Sequence, residues 1–232
     1  MEPFIRTTPV SPIVHDTKDV VSLLFQPHRH DRVCVRRSTV AGAGYGVFAI
    51  APIQRNTPVV LYPGIYYPPP PLCAVAAANG EPAVNIGVSL LPDTSYLMHC
   101  GSTGGDIDAS TCLEQLCHPL AIAHFVNHPP SSVAPNVEKV EFIWNDLHKH
   151  TNTMTLQSYQ QAVSTINRID TGPWYIHPNT GEVENYVPDC ARLVGCAFVT
   201  TRDVAPGEEL FFDYRLKMDK NTPSWYCPVE YH

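Results

Sequence analysis

Proline recurs along this chain so often that few stretches could hold a long helix. There are 23 prolines among 232 residues. Each lacks a backbone N–H and locks φ, so helix interiors and central strands reject it. The expected fold is mainly β, with short strands, many turns and a few short helices. The rule decides one motif at once. Residues 44–49 read G-x-G-x-x-A, the pattern of a dinucleotide-binding turn. That turn needs a helix after it, whose first N–H groups meet the pyrophosphate. Pro52 and Pro58 deny the helix. The run is read instead as a glycine-rich bend between two strands, one within residues 32–40 and one at 47–50. Its glycines also leave bare backbone that a ligand could approach closely.

A second constraint comes from residues 194–215, V-G-C-A-F-V-T-T-R-D-V-A-P-G-E-E-L-F-F-D-Y-R. Val194, Cys196, Phe198 and Thr200 fall on one face at period two, as in a strand. Pro206-Gly207 forms a turn, with proline pre-set for the first corner and glycine free for the second. A short segment rich in aromatic and acidic groups follows, up to Tyr214. The formal net charge of −7 argues against a nucleic-acid footprint and suits a basic peptide partner. No apolar run approaches the ~20 residues of a membrane span, and the first eight residues lack a signal-peptide core. The eight cysteines include no C-x-x-C pair. Cys112, Cys117 and His118 lack a fourth ligand, so buried free thiols are expected, in a reducing intracellular compartment, nucleus or cytoplasm.

Along the chain, residues 1–31 read as an extended N-terminal arm. Residues 59–62 form a further strand that Pro63-Gly64 should stop. Thr111 and Glu114 fit a capping box, with Leu113, Leu116 and Leu120 on one helical face. Residues 121–125 add one turn. Residues 137–144 read as a strand. Leu156, Tyr159, Val163 and Ile166 suggest an amphipathic helix. The domain is placed at 32–216, with inserts at about 65–120 and 145–189 and a tail at 217–232.

Four motifs in order resemble the SET-domain protein methyltransferases: G-Y-G-V-F-A at 44–49, L-Y-P-G at 61–64, F-V-N-H at 125–128 with P-N at 135–136, and G-E-E-L-F-F-D-Y at 207–214. The finer texture is similar to the SET-domain-containing protein 9 subfamily. The resemblance implies a β-clip fold of several small sheets, closed by a C-terminal pseudoknot. It implies S-adenosyl-L-methionine as cofactor and lysine methylation on a protein or peptide carrying a basic target residue. Gly44, Tyr45, Gly46, Asn127, His128 and Tyr214 would hold the cofactor. Tyr214 would be the catalytic tyrosine, and Tyr62 and Phe212 would line the substrate channel. With phenylalanine at 212, room for more than one methyl is implied.

Lysine has a pKa of ~10.4, and an apolar channel beside a sulfonium disfavours its charge. Alignment and polarised oxygens would then carry the transfer without a metal. Pro129 and Pro130 stand where the family has S-C, and the zinc-binding cysteine tail is missing. No zinc is therefore expected, and Trp225 and Tyr226 become the candidate lid. His124 stands where the family has arginine, and Ile65 where many members have glutamate. Two other functions remain open at this point: a catalytically weak or inactive SET-fold peptide-binding module, and a histidine methyltransferase.

Overall fold

The computed structural model describes residues 32–67, 96–102, 105–113, 118–144, 161, 163–169, 175–176, 183–184, 193–216, 218, 220 and 222–229. The fold is mostly β, in four small sheets. β1 (Val33–Arg37) and β2 (Tyr45–Ala49) form an antiparallel hairpin in register Val33 to Ala49. β3 (Pro58–Tyr62) and β4 (Gly64–Tyr67) are consecutive but belong to different sheets. β5 (Leu97–Cys100), β6 (Gly105–Asp108) and β8 (Asn167–Ile169) complete the sheet of β4, in the order β5-β6-β4-β8. Its β4–β8 pair is parallel. β7 (Val137–Ile143) and β11 (Val194–Thr200) join β3 in the order β3-β11-β7. β9 (Tyr175–Ile176) and β10 (Val183–Glu184) form a separate pair.

The strand expected over 194–200 is β11. All seven of its residues are buried, because it lies between β3 and β7 and both faces are covered. A strand buried on both sides reads as a continuous apolar run, as this one does. Pro63 stops β3 after Tyr62, as expected. It cannot donate to a ladder, so it breaks the pairing of β3, and the chain starts again as β4 in the neighbouring sheet.

The capping box expected at Thr111 needs Glu114, which lies outside the described residues. Residues Ser110–Cys112 form a single 3-10 turn without a side-chain cap. Asp108 supplies the local order instead, accepting from the Ser110 N–H at 2.8 Å and the Ser110 hydroxyl at 2.9 Å. Residues 114–117 lie outside the described residues. The turn expected near 121–125 is a 3-10 helix, Ala123–Phe125. Of the helix expected over 156–166, Gln161, Val163 and Ser164 are helical; Leu156 and Tyr159 lie outside the described residues. So does the N-terminal arm.

The core runs between the β3-β11-β7 sheet, the hairpin and the 3-10 helix at 123–125, with Trp144, Phe198, Ile53, Leu61, Ile107 and Leu210 fully buried. Burying such side chains supplies about 1.5–3 kcal/mol each relative to exposure. Polar residues are built into it, Asn167 among them. Asn167 accepts from Trp144 Nε1 at 3.2 Å and donates to the Tyr62 carbonyl at 3.0 Å. A buried amide satisfied on both ends fixes the strand it bonds, and that strand carries a candidate site residue.

Candidate functional site

The segment 207–214 is not a strand of any sheet. It makes isolated bridges on several sides. Glu209 pairs with Phe48, Phe211 with Asn127, and Phe212 with Val137. The Leu210 N–H reaches the Val47 carbonyl at 2.7 Å, and the Phe212 N–H reaches the Asn127 carbonyl at 2.9 Å. Asn136, 1% exposed, closes the far side. Its amide donates to the Glu209 carbonyl at 2.9 Å, and its carbonyl oxygen accepts the Phe211 N–H at 2.8 Å. The Asn136 and Val137 N–H groups both bond the Phe211 carbonyl. Residues 209–212 are thus hydrogen-bonded to Asn127 on one side and to Asn136 and Val137 on the other. Two stretches more than seventy residues apart are joined, because the aromatic-acidic segment has no sheet of its own to satisfy its backbone.

This crossing sets Tyr214. Its hydroxyl donates to the Val126 carbonyl at 3.0 Å, and its N–H bonds His128 Nδ1 at 3.3 Å. Tyr62 donates its hydroxyl to the Tyr96 carbonyl at 2.7 Å. With each hydroxyl hydrogen committed to a carbonyl, the phenol oxygens keep lone pairs for an incoming donor. Burial pushes the Tyr214 phenol up to about 12, against a smaller opposing effect of its backbone bond at His128. Burial, then the neighbouring Tyr214, pushes Tyr62 further still in the same direction. Both phenols are therefore neutral at physiological pH. Phe212 stacks on Phe198 with centroids 4.7 Å apart and lies 6.1 Å from the Tyr214 ring.

His128 is the hub on the other side. Since Nδ1 accepts from Tyr214, Nε2 carries the hydrogen and donates to the Cys227 carbonyl at 2.7 Å. Its ring lies 4.5 Å from Tyr226 and 5.6 Å from Tyr214. Trp225 sits edge-on to Tyr214 at 6.2 Å, with 60% of its surface exposed. The two residues expected as a lid thus sit against Tyr214 and His128: Tyr226 buried and packed on the imidazole, Trp225 at the rim.

At the hairpin, the Asn127 amide donates to the Tyr45 carbonyl at 2.9 Å and to Glu209 Oε1 at 3.2 Å. Gly44 has φ of +75°, and nothing stands within 4 Å of where its Cβ would project. Gly46 differs, and corrects the expectation of bare backbone awaiting a ligand on that side. A Cβ there would lie 2.0 Å from Glu209 Oε1. The space a side chain would need is filled by a carboxylate of the protein itself.

The sequence reading missed four participants. Glu209 looks no different from its neighbour Glu208 in G-E-E-L. Tyr96 borders residues 68–95, which lie outside the described ones, and no motif marks it. Ser38 and Thr39 gain meaning only through Glu209. His124 is buried, and neither ring nitrogen has a hydrogen-bond partner. Burial lowers its pKa to about 4, so the imidazole is neutral. Among the described residues, no three His, Cys, Asp or Glu side chains are grouped to hold a metal ion. Cys34, Cys196 and Cys227 are free thiols. No helix among the described residues is long and apolar enough to cross a membrane.

The sequence profile of the SET domain matches residues 44–215, well over half of the chain. The chain belongs to the SET-domain family. That match spans both halves of the crossing and Tyr214 itself, and the small sheets of this SET domain agree with it. SET domains are in general methyltransferases, typically using S-adenosylmethionine and acting on protein or peptide substrates. No curated protein matches the sequence. The residues of this SET domain fit such a cofactor in kind. A half-exposed Tyr45 and an exposed Trp225 offer aromatic faces, Gly44 leaves an open edge, and the polar nitrogens of His124 lack partners.

Proposed function

We propose that this protein methylates a lysine side chain on a protein or peptide, using S-adenosyl-L-methionine, and that it lies nearest the SET-domain-containing protein 9 subfamily. The observation that carries the reading is Tyr214, a neutral, half-buried phenol whose hydrogen is tied to the Val126 carbonyl. Its oxygen is left to orient an amine. When bound, the cofactor supplies an electrophilic methyl group on a sulfonium.

The chain's own groups do the rest. Tyr62, Phe212 and Tyr214 exclude water from the amine and disfavour its charged form. The phenol oxygens of Tyr62 and Tyr214 hold the amine in line, which converts binding into alignment. The Tyr214 oxygen and nearby carbonyls place negative partial charge where positive charge spreads during transfer. Gly44, Tyr45, Gly46, Asn127 and His128 hold the cofactor, and Trp225 with Tyr226 covers it. Phe212 leaves space for more than one methyl, which mass spectrometry of the product tests; strictly monomethylated lysine would count against it. The Cys100 and Cys196 sulfurs lie 3.7 Å apart, beyond a covalent S–S bond, which supports a reducing intracellular setting, nucleus or cytoplasm, for the domain at 32–216.

The test begins with thermal-shift titration. S-adenosylmethionine should raise Tm in a concentration-dependent way. Methyl incorporation into peptide pools should follow with wild type and drop by about two orders of magnitude in Tyr214→Phe. Absence of any shift at roughly millimolar cofactor would leave a peptide-binding module as the better reading.

A further inference from the structure

Glu209 is a buried acid held by side chains and backbone far from it in the chain. It is 5% exposed. Its Oε1 accepts from the Ser38 hydroxyl at 2.7 Å and from the Asn127 amide at 3.2 Å. Its Oε2 accepts from the Thr39 N–H at 2.8 Å and from the Thr39 hydroxyl at 2.5 Å. Every one of these donors is neutral. None of the ion pairs among the described residues includes Glu209. Its neighbour Glu208, by contrast, pairs with Arg202 at 2.7 Å near the surface. Neutral donors solvate a carboxylate without cancelling its charge, and a buried charge without a counter-ion acts on whatever cation comes near.

We propose that Glu209 is a charge selector, favouring the cationic methyl donor over the neutral thioether that remains after transfer. The proposal rests on the reading that the cofactor lies along Gly44 to Gly46 and Asn127. Glu209 touches that strip from within: Oε1 lies 2.0 Å from where a Cβ on Gly46 would be, and the Asn127 amide bonds it directly. The donor and its product differ by one methyl group and one positive charge at sulfur. A carboxylate beside that strip attracts the charged ligand and not the neutral one, and the affinity ratio reads that difference as roughly tenfold. The consequence is release of product against a fresh donor without any moving part.

Isothermal titration with S-adenosylmethionine, S-adenosylhomocysteine and sinefungin, whose amine is cationic where the sulfonium sits, tests this in wild type, Glu209→Gln and Glu209→Asp. Wild type should bind both cationic ligands more tightly than S-adenosylhomocysteine. Glu209→Gln should shrink that ratio by about tenfold, and Glu209→Asp should restore it even where all three affinities fall. A Glu209→Gln protein that weakens all three ligands by one factor would overturn the selector and leave Glu209 as a brace for the hairpin. Should Glu209→Gln fail to fold, Ser38→Ala with Thr39→Val removes donors and keeps the charge. That pair should weaken all three ligands equally, and a collapse of the ratio there would overturn the proposal too. Wild type that binds none of the three refutes the cofactor reading itself, and the selector with it.

Discussion

Replacing Gly46 by alanine probes the contact on which the hairpin and the crossing depend. The new Cβ would lie 2.0 Å from Glu209 Oε1, 2.8 Å from Glu209 Cδ and 3.2 Å from Asn127 Nδ2. Ordinary contact starts at 3.4 Å, so the carboxylate must retreat by about 1.4 Å, given the steep repulsion between atoms. It has little freedom to do so, because Ser38, Thr39 and Asn127 hold both oxygens. Overpacking of this kind costs about 1–3 kcal/mol, and each hydrogen bond to a charged group lost adds about 1.5–3. A total near 3 kcal/mol lowers Tm by about 6–12 °C in a domain of this size. Thermal unfolding followed by circular dichroism measures it. The decisive control is Glu209→Ala. In that background Gly46→Ala should cost under about 1 kcal/mol, a coupling of at least 2 kcal/mol. Additive effects of the two substitutions, or a Tm drop below about 2 °C for Gly46→Ala alone, would refute the reasoning.

Asn136→Ala leaves the Glu209 carbonyl and the Phe211 N–H short of their buried partner; denaturant unfolding should show a loss of about 3 kcal/mol. His124 is buried neutral with its pKa lowered to about 4 by burial. The unfolded chain binds its proton first as pH falls through 6.5. Stability held above that pH should therefore be lost between about 6.5 and 4, by roughly 3 kcal/mol. His124→Phe removes that slope and stabilises at pH 7 by about 1 kcal/mol, since an unpartnered polar ring leaves the interior; denaturant titrations across the pH range check both. Trp225, 60% exposed and edge-on to Tyr214, should become less accessible to a soluble fluorescence quencher when S-adenosylmethionine is added. Equal quenching with and without it would remove Trp225 from the lid.

The parts of the site readable in advance were those whose role follows from local chemistry. Pro206-Gly207 reads as a turn, and Gly207 takes φ of +91° there. Tyr214, Asn127 and His128 were nameable because whole motifs surround them. Tyr96 and Asn167 were not. Each acts through a backbone or side-chain bond to Tyr62 across a long stretch of chain, and no local pattern encodes such a partner. The local order just before Thr111 was equally hidden. The turn at 110–112 takes its order from Asp108 just before it, at the end of β6.

The linear order of residues determined the class of this protein. Prolines and glycines placed the breaks, apolar runs placed the strands, and the four motifs implied a methyl-donor fold. Those properties depend on near neighbours, so they survive in a string of letters. Tertiary structure alone decided which of two adjacent glutamates is buried and which lies half-buried near the surface. It also decided that β11 is covered on both faces, and that Trp225 and Tyr226 come back to His128. Each is a meeting of surfaces distant in the chain, and such meetings are settled by what packs and what hydrogen-bonds once the whole chain has closed.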